Sequence, residues 1–382
     1  MKVRLEHFRA KWTPVRVKKM RPNKNLERFR DSVKFGNALA LSALLMCSLF
    51  SASPSWGQDR ATDLPPKFEL VLPIDCKIGE TCFIQNYVDV DPSRRWRDYQ
   101  CRGLSNDGHK GTDFRLPDLA AMEQGVAVLA AADGRVKGYR KNLADGLYFN
   151  GDTDGLEGKT CGNGVIIDHG NGWETQYCHL KQDSVDVFRG RQMSAGESIG
   201  LVGLSGATNF PHLHFEVRYQ DQVMDPATGA SSLDGCGSQS EPLWTTADLF
   251  DVRYTPRGVL NQGFTTEDVT PDGIERGLYG DTEPTGAAPA MVYYVRIFGL
   301  QSGDVQELSI LDPQGNELVA TSYTHEGRSQ LDHTEFVKAV TQGQGWAPGT
   351  YEGRYRLTRG GKILLERSLT TEIGEAEIGE AG

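Results

Sequence analysis

Residues 211–217 read Pro-His-Leu-His-Phe-Glu-Val (PHLHFEV), a strict alternation of polar and apolar side chains that predicts a β-strand. On a strand His212, His214 and Glu216 share one face, and Leu213, Phe215 and Val217 share the other. The apolar face belongs in a core, so the histidine face looks into a cleft. Two more short stretches carry matching chemistry, GHKGTD (Gly108–Asp113) and QYCHL (Gln176–Leu180). His109 and Asp113 are four apart and share a face if their segment is extended. Gly108, Gly111 and β-branched Thr112 argue against a helix there. The two pairs can then converge from neighbouring strands.

His109, Asp113, His179, His212 and His214 together have the composition of a three-ligand metal site with two spare imidazoles. A hydrolytic zinc centre has that make-up, because it keeps one position open. A lone histidine is ordinarily a surface residue or a satisfied core residue. Here four of the chain's 8 histidines fall in the three segments. The other four read as leader (His7), hairpin turn (His169) and polar loops (His325, His333). A purely structural zinc would be closed by four ligands and would favour cysteine.

Those residues carry a resemblance to the lysostaphin/LytM-type zinc metallopeptidases, whose signatures are H-x-x-x-D and H-x-H. The resemblance covers roughly Gly103 to Pro226. It includes GVAVLAAADGRV (Gly125–Val136), GNGVIIDHGNGWETQYCHL (Gly162–Leu180) and GESIGLVGLSGATNFPHLHFEV (Gly196–Val217), in that order. It implies that His109, Asp113 and His214 hold one Zn2+ and that His179 and His212 are non-ligand catalytic histidines. Which of the two is the base is left open. It also implies a compact antiparallel β-sheet of the duplicated hybrid motif type, with the zinc groove on its open face. Glu216, on the histidine face, is expected as a partner for an imidazole N–H or as a solvated strand residue. The departure from the family pattern is a longer segment at about Arg140–Thr160, which bears on substrate specificity.

The first 37 residues hold 12 Lys+Arg against 3 Asp+Glu, and an apolar run, Ala38–Phe50, follows them. Small and turn residues come next. This reads as a secretory signal peptide, residues 1–57, with cleavage after Gly57 or a few residues earlier and Met20 as an alternative start. The run is shorter than the roughly 20 residues of a spanning helix, so no stable membrane insertion is expected after cleavage. Of 7 cysteines, six remain beyond Cys47. An even number in an exported chain predicts disulfides. The hairpin turning at His169–Gly172 makes Cys161–Cys178 one candidate pair. Net charge is −10 for the whole chain and −19 for residues 58–382. So acidic a surface excludes nonspecific binding to nucleic acid or anionic lipid.

The expected layout is all-β. Residues 58–102 are a linker and a cysteine-containing leading segment with strand-like pieces (FELVLP and CFIQNYVDV), expected to pack on the catalytic domain and able to cover the zinc. Residues 103–250 are the metallopeptidase domain, with a short helical exit at Trp244–Phe250. Residues 251–289 are expected to form a linker in which an early strand is allowed. Residues 290–371 form a small β-sandwich with hairpin turns at DPQGN (Asp312–Asn316) and RGGK (Arg359–Lys362). Residues 372–382 are an acidic tail.

Three functions follow in order. The first is an exported zinc endopeptidase, periplasmic or in the cell envelope, that cuts peptide bonds in peptidoglycan cross-links. The second is a non-catalytic wall-binding or hydrolase-activating protein of the same fold. The third is a secreted protease acting on glycine-rich peptides. The bond cut, D-Ala–diaminopimelate, D-Ala–Gly, Gly–Gly or another, is left open, as is oligomeric state.

Overall fold

The computed structural model describes residues 67–147, 155–238, 240–248, 252–279, 284–327, 332–341, 343 and 345–374. The expected signal peptide, most of the acidic tail and the middle of the 140–160 segment lie outside these residues.

Strands β1 (Phe83–Asn86) and β2 (Thr112–Arg115) precede a short helix, α1 (Leu119–Gln124). Then come β3 (Ala127–Leu129), β4 (Gly134–Arg140), β5 (Asn163–Gly170), β6 (Trp173–Leu180), β7 (Gln192–Met193), β8 (Ser198–Leu201), β9 (His212–Tyr219) and β10 (Gln222–Met224). An eight-stranded sheet has the order β1-β2-β9-β6-β5-β4-β7, with β10 on β9, and its pairings are antiparallel. β3 and β8 form a separate two-stranded sheet. The alternation read from residues 211–217 is realised. Leu213, Phe215 and Val217 are fully buried in one large apolar cluster with Phe114, Ile167 and Tyr177.

The β5–β6 hairpin turns through Gly170, Asn171 and Gly172, at φ of 78°, 51° and 89°. Glycine and asparagine are the residues that tolerate this left-handed region. The disulfides are Cys76–Cys82, Cys101–Cys236 and Cys161–Cys178. The last is the pair expected from the hairpin.

The C-terminal part continues with β11 (Gly258–Thr265), α2 (Pro271–Glu275), β12 (Ala290–Phe298), β13 (Asp304–Leu311), β14 (Glu317–His325), β15 (His333–Val340), β16 (Gly349–Arg359) and β17 (Lys362–Ile373). Two antiparallel sheets, β11-β12-β15 and β14-β13-β16-β17, bury their facing side chains in a common cluster that includes Tyr293, Val295, Leu308, Ile310 and Tyr355. The other face of β12 is buried as well, with Val292 and Tyr294 packed on Ile274 and Tyr279.

Two sequence expectations are corrected. The stretch 251–289 is more than a linker, because β11 pairs along β12 from Gly258 to Thr265 and α2 follows it. The early strand expected there is β11, and its pairing depends on partners about thirty residues along the chain. Residues 246–248 turn instead of forming a helix, and Trp244 bridges Leu70. The leading segment packs on the first β part as expected from its strand-like pieces, adding β1 to the sheet edge beside β2 and burying Leu70, Ile74 and Ile84 in the core. The two β parts also meet in a packed boundary. Leu260 and Phe298 join the first cluster, with the Phe298 ring 6.1 Å from that of Phe83.

Candidate metal centre

β9 lies between β2 and β6, so its histidine face has a neighbour on each side. The register sets Asp113 opposite His214 on one flank and Cys178 opposite His214 on the other. His109 is not on β2. It follows a turn at Gly108 (φ 72°) and reaches the same face from outside the strand. Its Nε2 lies 3.0 Å from Asp113 Oδ2, and His214 Nδ1 lies 2.8 Å from Asp113 Oδ1. Gly111 permits this approach. A Cβ there would stand 2.6 Å from the Phe215 carbonyl oxygen and 2.8 Å from the His214 ring.

His179 arrives differently. Strand alternation along β6 puts Tyr177 in the core and Gln176 and Cys178 at the cleft. By alternation alone His179 would follow Tyr177 inward. Its backbone instead adopts φ 62°, beyond the last β6–β9 pair. The side chain is turned to the cleft, with its ring centroid 4.6 Å from that of His212 and 6.0 Å from that of His214. The strand end is held by the His179 N–H donating to the Cys161 carbonyl (2.8 Å) and by the Cys161–Cys178 bond.

The ring orientations follow from hydrogen bonds. His109 Nδ1 is 2.8 Å from the Tyr87 carbonyl, His179 Nδ1 is 2.8 Å from the Ser205 carbonyl, and His212 Nδ1 is 3.0 Å from the Phe210 carbonyl. A carbonyl only accepts, so each Nδ1 carries the proton, and in the neutral ring Nε2 is the free lone pair. Glu216 does not serve this purpose. It accepts from Arg218 Nη1 at 3.0 Å. Asn86 Nδ2 donates to Asp113 Oδ2 at 2.8 Å and fixes the carboxylate.

Burial sets the electrostatics. It depresses the His179 imidazole well below its usual range, helped by His212 and His214. It takes His212 down to about 4, against the opposing pull of Asp113. Burial alone would raise Asp113, but the adjacent His109 and His212 hold it well below the usual carboxylate range. Burial works against the charged form of His109 too, and there the Asp113 carboxylate prevails and raises it.

The residues open onto a cavity of about 510 Å³. His109, Asp113 and His214 each offer a donor atom, all within 4.8 Å of one another. In a tetrahedral site with zinc bonds of about 2.0–2.1 Å, ligand atoms lie roughly 3.3 Å apart. Two histidine nitrogens and one carboxylate oxygen within 4.8 Å of one another have the donor chemistry for such an ion and need only a modest contraction to meet it. His179 and His212 complete the five-residue set named from sequence. Asn86 and the carbonyls of Tyr87, Ser205 and Phe210 were not foreseen. A carbonyl's role is independent of residue type, and the register that places Asn86 against Asp113 is not written in either strand.

A sheet that presents two histidines and an aspartate at ligand spacing, beside two further imidazoles in a polar cavity, has the donor set of a hydrolytic metal centre. Residues 107–226 match the family model described as Peptidase family M23, and the chain carries an M23 peptidase domain there. The chain is 38% identical over 125 residues to the cell division protein DipM of Caulobacter vibrioides, covering 32% of this chain and 18% of that one. It is 36% identical over 122 residues to the DD-carboxypeptidase/endopeptidase Mpg of Neisseria meningitidis serogroup B (32% and 23%). It is 32% identical over 117 residues to the peptidoglycan DD-endopeptidase ShyB of Vibrio cholerae serotype O1 (31% and 22%). The chain thus spans about a fifth of the length of these curated relatives.

Proposed function

We propose that this protein is an exported zinc-dependent endopeptidase that hydrolyses peptide bonds in peptidoglycan cross-links. The observation that carries the reading is the convergence of His109, Asp113 and His214 beside two imidazoles whose Nδ1 protons are tied to carbonyls. Among the relatives, Mpg is described as a DD-carboxypeptidase/endopeptidase and ShyB as a peptidoglycan DD-endopeptidase, which supports this reading. In this reading His109, Asp113 and His214 hold the metal, and His179 and His212 are catalytic.

A zinc ion held there would polarise the scissile carbonyl and make a water more acidic. The chain's own groups do the rest. His179 and His212 enter as neutral rings with Nε2 unprotonated, so either can accept the proton of the attacking water. Once protonated, the same Nε2–H donates to the tetrahedral oxyanion or to the leaving amine. The carbonyls of Ser205 and Phe210 keep both rings in the one tautomer and orientation that permit this. Asn86 keeps Asp113 turned towards the two ligand histidines.

Residues 1–57 are read as the export signal, 103–250 as the catalytic domain and 290–371 as an accessory β-sandwich, with the periplasm or cell envelope as destination. No helix among the described residues is long and apolar enough to cross a membrane. The complete donor set weighs against a non-catalytic wall-binding role.

The test is mass spectrometry of purified peptidoglycan incubated with residues 58–382, with zinc and with a chelator. Cross-link-cleaved fragments that vanish with the chelator are expected, and their masses identify the bond. Intact cross-links with a zinc-loaded, fully oxidised protein would overturn the reading.

A further inference from the structure

Arg115 is two residues beyond Asp113 on β2 and pairs in register with His212 on β9. It is fully buried, an expensive place for a charge unless the charge is paired. Its nearest carboxylates come from the C-terminal part of the chain. Nη2 lies 2.9 Å from Glu275 Oε2 on α2 and 3.0 Å from Asp332 Oδ2, just before β15. Nη1 donates to Gln85 on β1 at 2.7 Å. Arg296 on β12 closes the group, pairing with Glu275 and donating from Nε to Asp332 Oδ1 at 2.8 Å. Two cations and two anions make a neutral quartet, and three of its four members (Glu275, Arg296 and Asp332) belong to the C-terminal β part.

The guanidinium also has a second contact. Its Cζ sits 4.4 Å from the centroid of the Phe210 ring. That ring lies 4.5 Å from the His212 ring, and the Phe210 carbonyl accepts from His212 Nδ1 at 3.0 Å. Phe210 therefore fixes His212 twice, through its ring and through its main chain. One face of Phe210 is covered by a cation whose own position is set by Glu275 and Asp332.

We propose that Arg115 is a positioning residue for His212, acting through Phe210, and that the C-terminal β part sustains catalysis by holding Arg115. Among the described residues, none of that part lines the cleft. The catalytic half of the inference rests on the function proposed above. The geometric half, control of the His212 ring, does not. The planar fork of arginine suits this double duty, because it pairs with carboxylates in its plane and stacks on an aromatic ring with its face.

The experiment is a double-mutant cycle on the full chain with Phe210→Leu, Glu275→Gln and the pair together. Phe210→Leu leaves the ion quartet intact. Glu275→Gln loosens Arg115 and leaves the cleft side chains intact. Zinc content, kcat, KM and the 15N resonances of the His212 imidazole are measured. A displaced catalytic group typically costs about tenfold or more in rate. Each single variant is therefore expected to bind one zinc, keep KM and lose about tenfold in kcat. The double variant is expected to be no worse than Phe210→Leu alone, because both act along one line of contact. The His212 resonances should shift in all three, and those of His169 in none.

Multiplying losses, or unchanged His212 resonances in Phe210→Leu, would overturn the proposal. If Glu275→Gln does not fold, Asp332→Asn takes its place, since Asp332 is about one-third exposed (34%). If the wild-type chain leaves peptidoglycan intact, the proposed function fails and the imidazole resonances still decide the coupling.

Discussion

Asn86 and Asp113 are cross-strand partners, with Asn86 Nδ2 2.8 Å from Asp113 Oδ2. Asn86 lies on β1, outside the residues 107–226 that match the family model. The carboxylate of the candidate metal centre is thus oriented by a strand that the matched segment does not include. Outer partners of this kind usually contribute 10–100-fold in metal affinity. Asn86→Ala is expected to weaken zinc binding by roughly tenfold or more, read by competition with a chromophoric chelator. Unchanged affinity would show that Asp113 needs no such support.

The four cleft histidines should separate by metal content. His109→Ala and His214→Ala are expected to lose zinc by elemental analysis. His179→Ala and His212→Ala are expected to retain it and to lose turnover by a factor of roughly 10² or more. Near-normal activity in His179→Ala would remove that residue from the mechanism.

The Cys161–Cys178 bond closes a loop with a sequence separation of 17 and sits directly before His179. Closing a loop of that length stabilises a fold by about 3 kcal/mol. The double replacement Cys161→Ser/Cys178→Ser is expected to lower unfolding stability by that order in urea. It should also reduce kcat while sparing zinc, because His179 loses its left-handed anchor. A variant destabilised but fully active would show that the His179 backbone holds itself.

Asp225 is buried and its pKa is pushed up to about 7, chiefly by burial and further by Asp98, against the hydrogen bond from the Ala227 N–H. An unfolded aspartate titrates near about 4. Between these values the folded chain holds a proton that the unfolded chain has released. The resulting stability is complete below about pH 4 and is lost as pH rises through about 7. Asp225→Asn keeps the Ala227 contact and cannot ionise. Its stability relative to wild type should therefore grow from about pH 4 to about pH 8, by a few kcal/mol at most. Urea melts across that range test it, and a constant difference between the two proteins would refute it.

Much of the centre was legible in the chain. Alternation in residues 211–217 separates His212, His214 and Glu216 from Leu213, Phe215 and Val217, because a strand has a period of two and one face must be buried. Glycines around Asn171 and at 360–361 marked hairpins for the same local reason, since φ above zero is costly for other residues. His179 was legible as chemistry but not as geometry. Its strand period points it at the core, and only the backbone reversal at φ 62° brings it to His212.

Sequence by itself determined the residue types of the candidate metal centre and the β character of the chain, and it singled out Cys161–Cys178 as one candidate pair. These depend on short-range periodicity, turn preference and donor chemistry, which a chain carries locally. Tertiary structure alone decided that β11 joins β12, that Asn86 faces Asp113 and that carbonyls of Tyr87, Ser205 and Phe210 set the imidazole tautomers. It also decided that Glu275 and Asp332 meet Arg115 from more than 150 residues away. Register and long-range charge pairing arise from how whole sheets pack, and no local pattern encodes them.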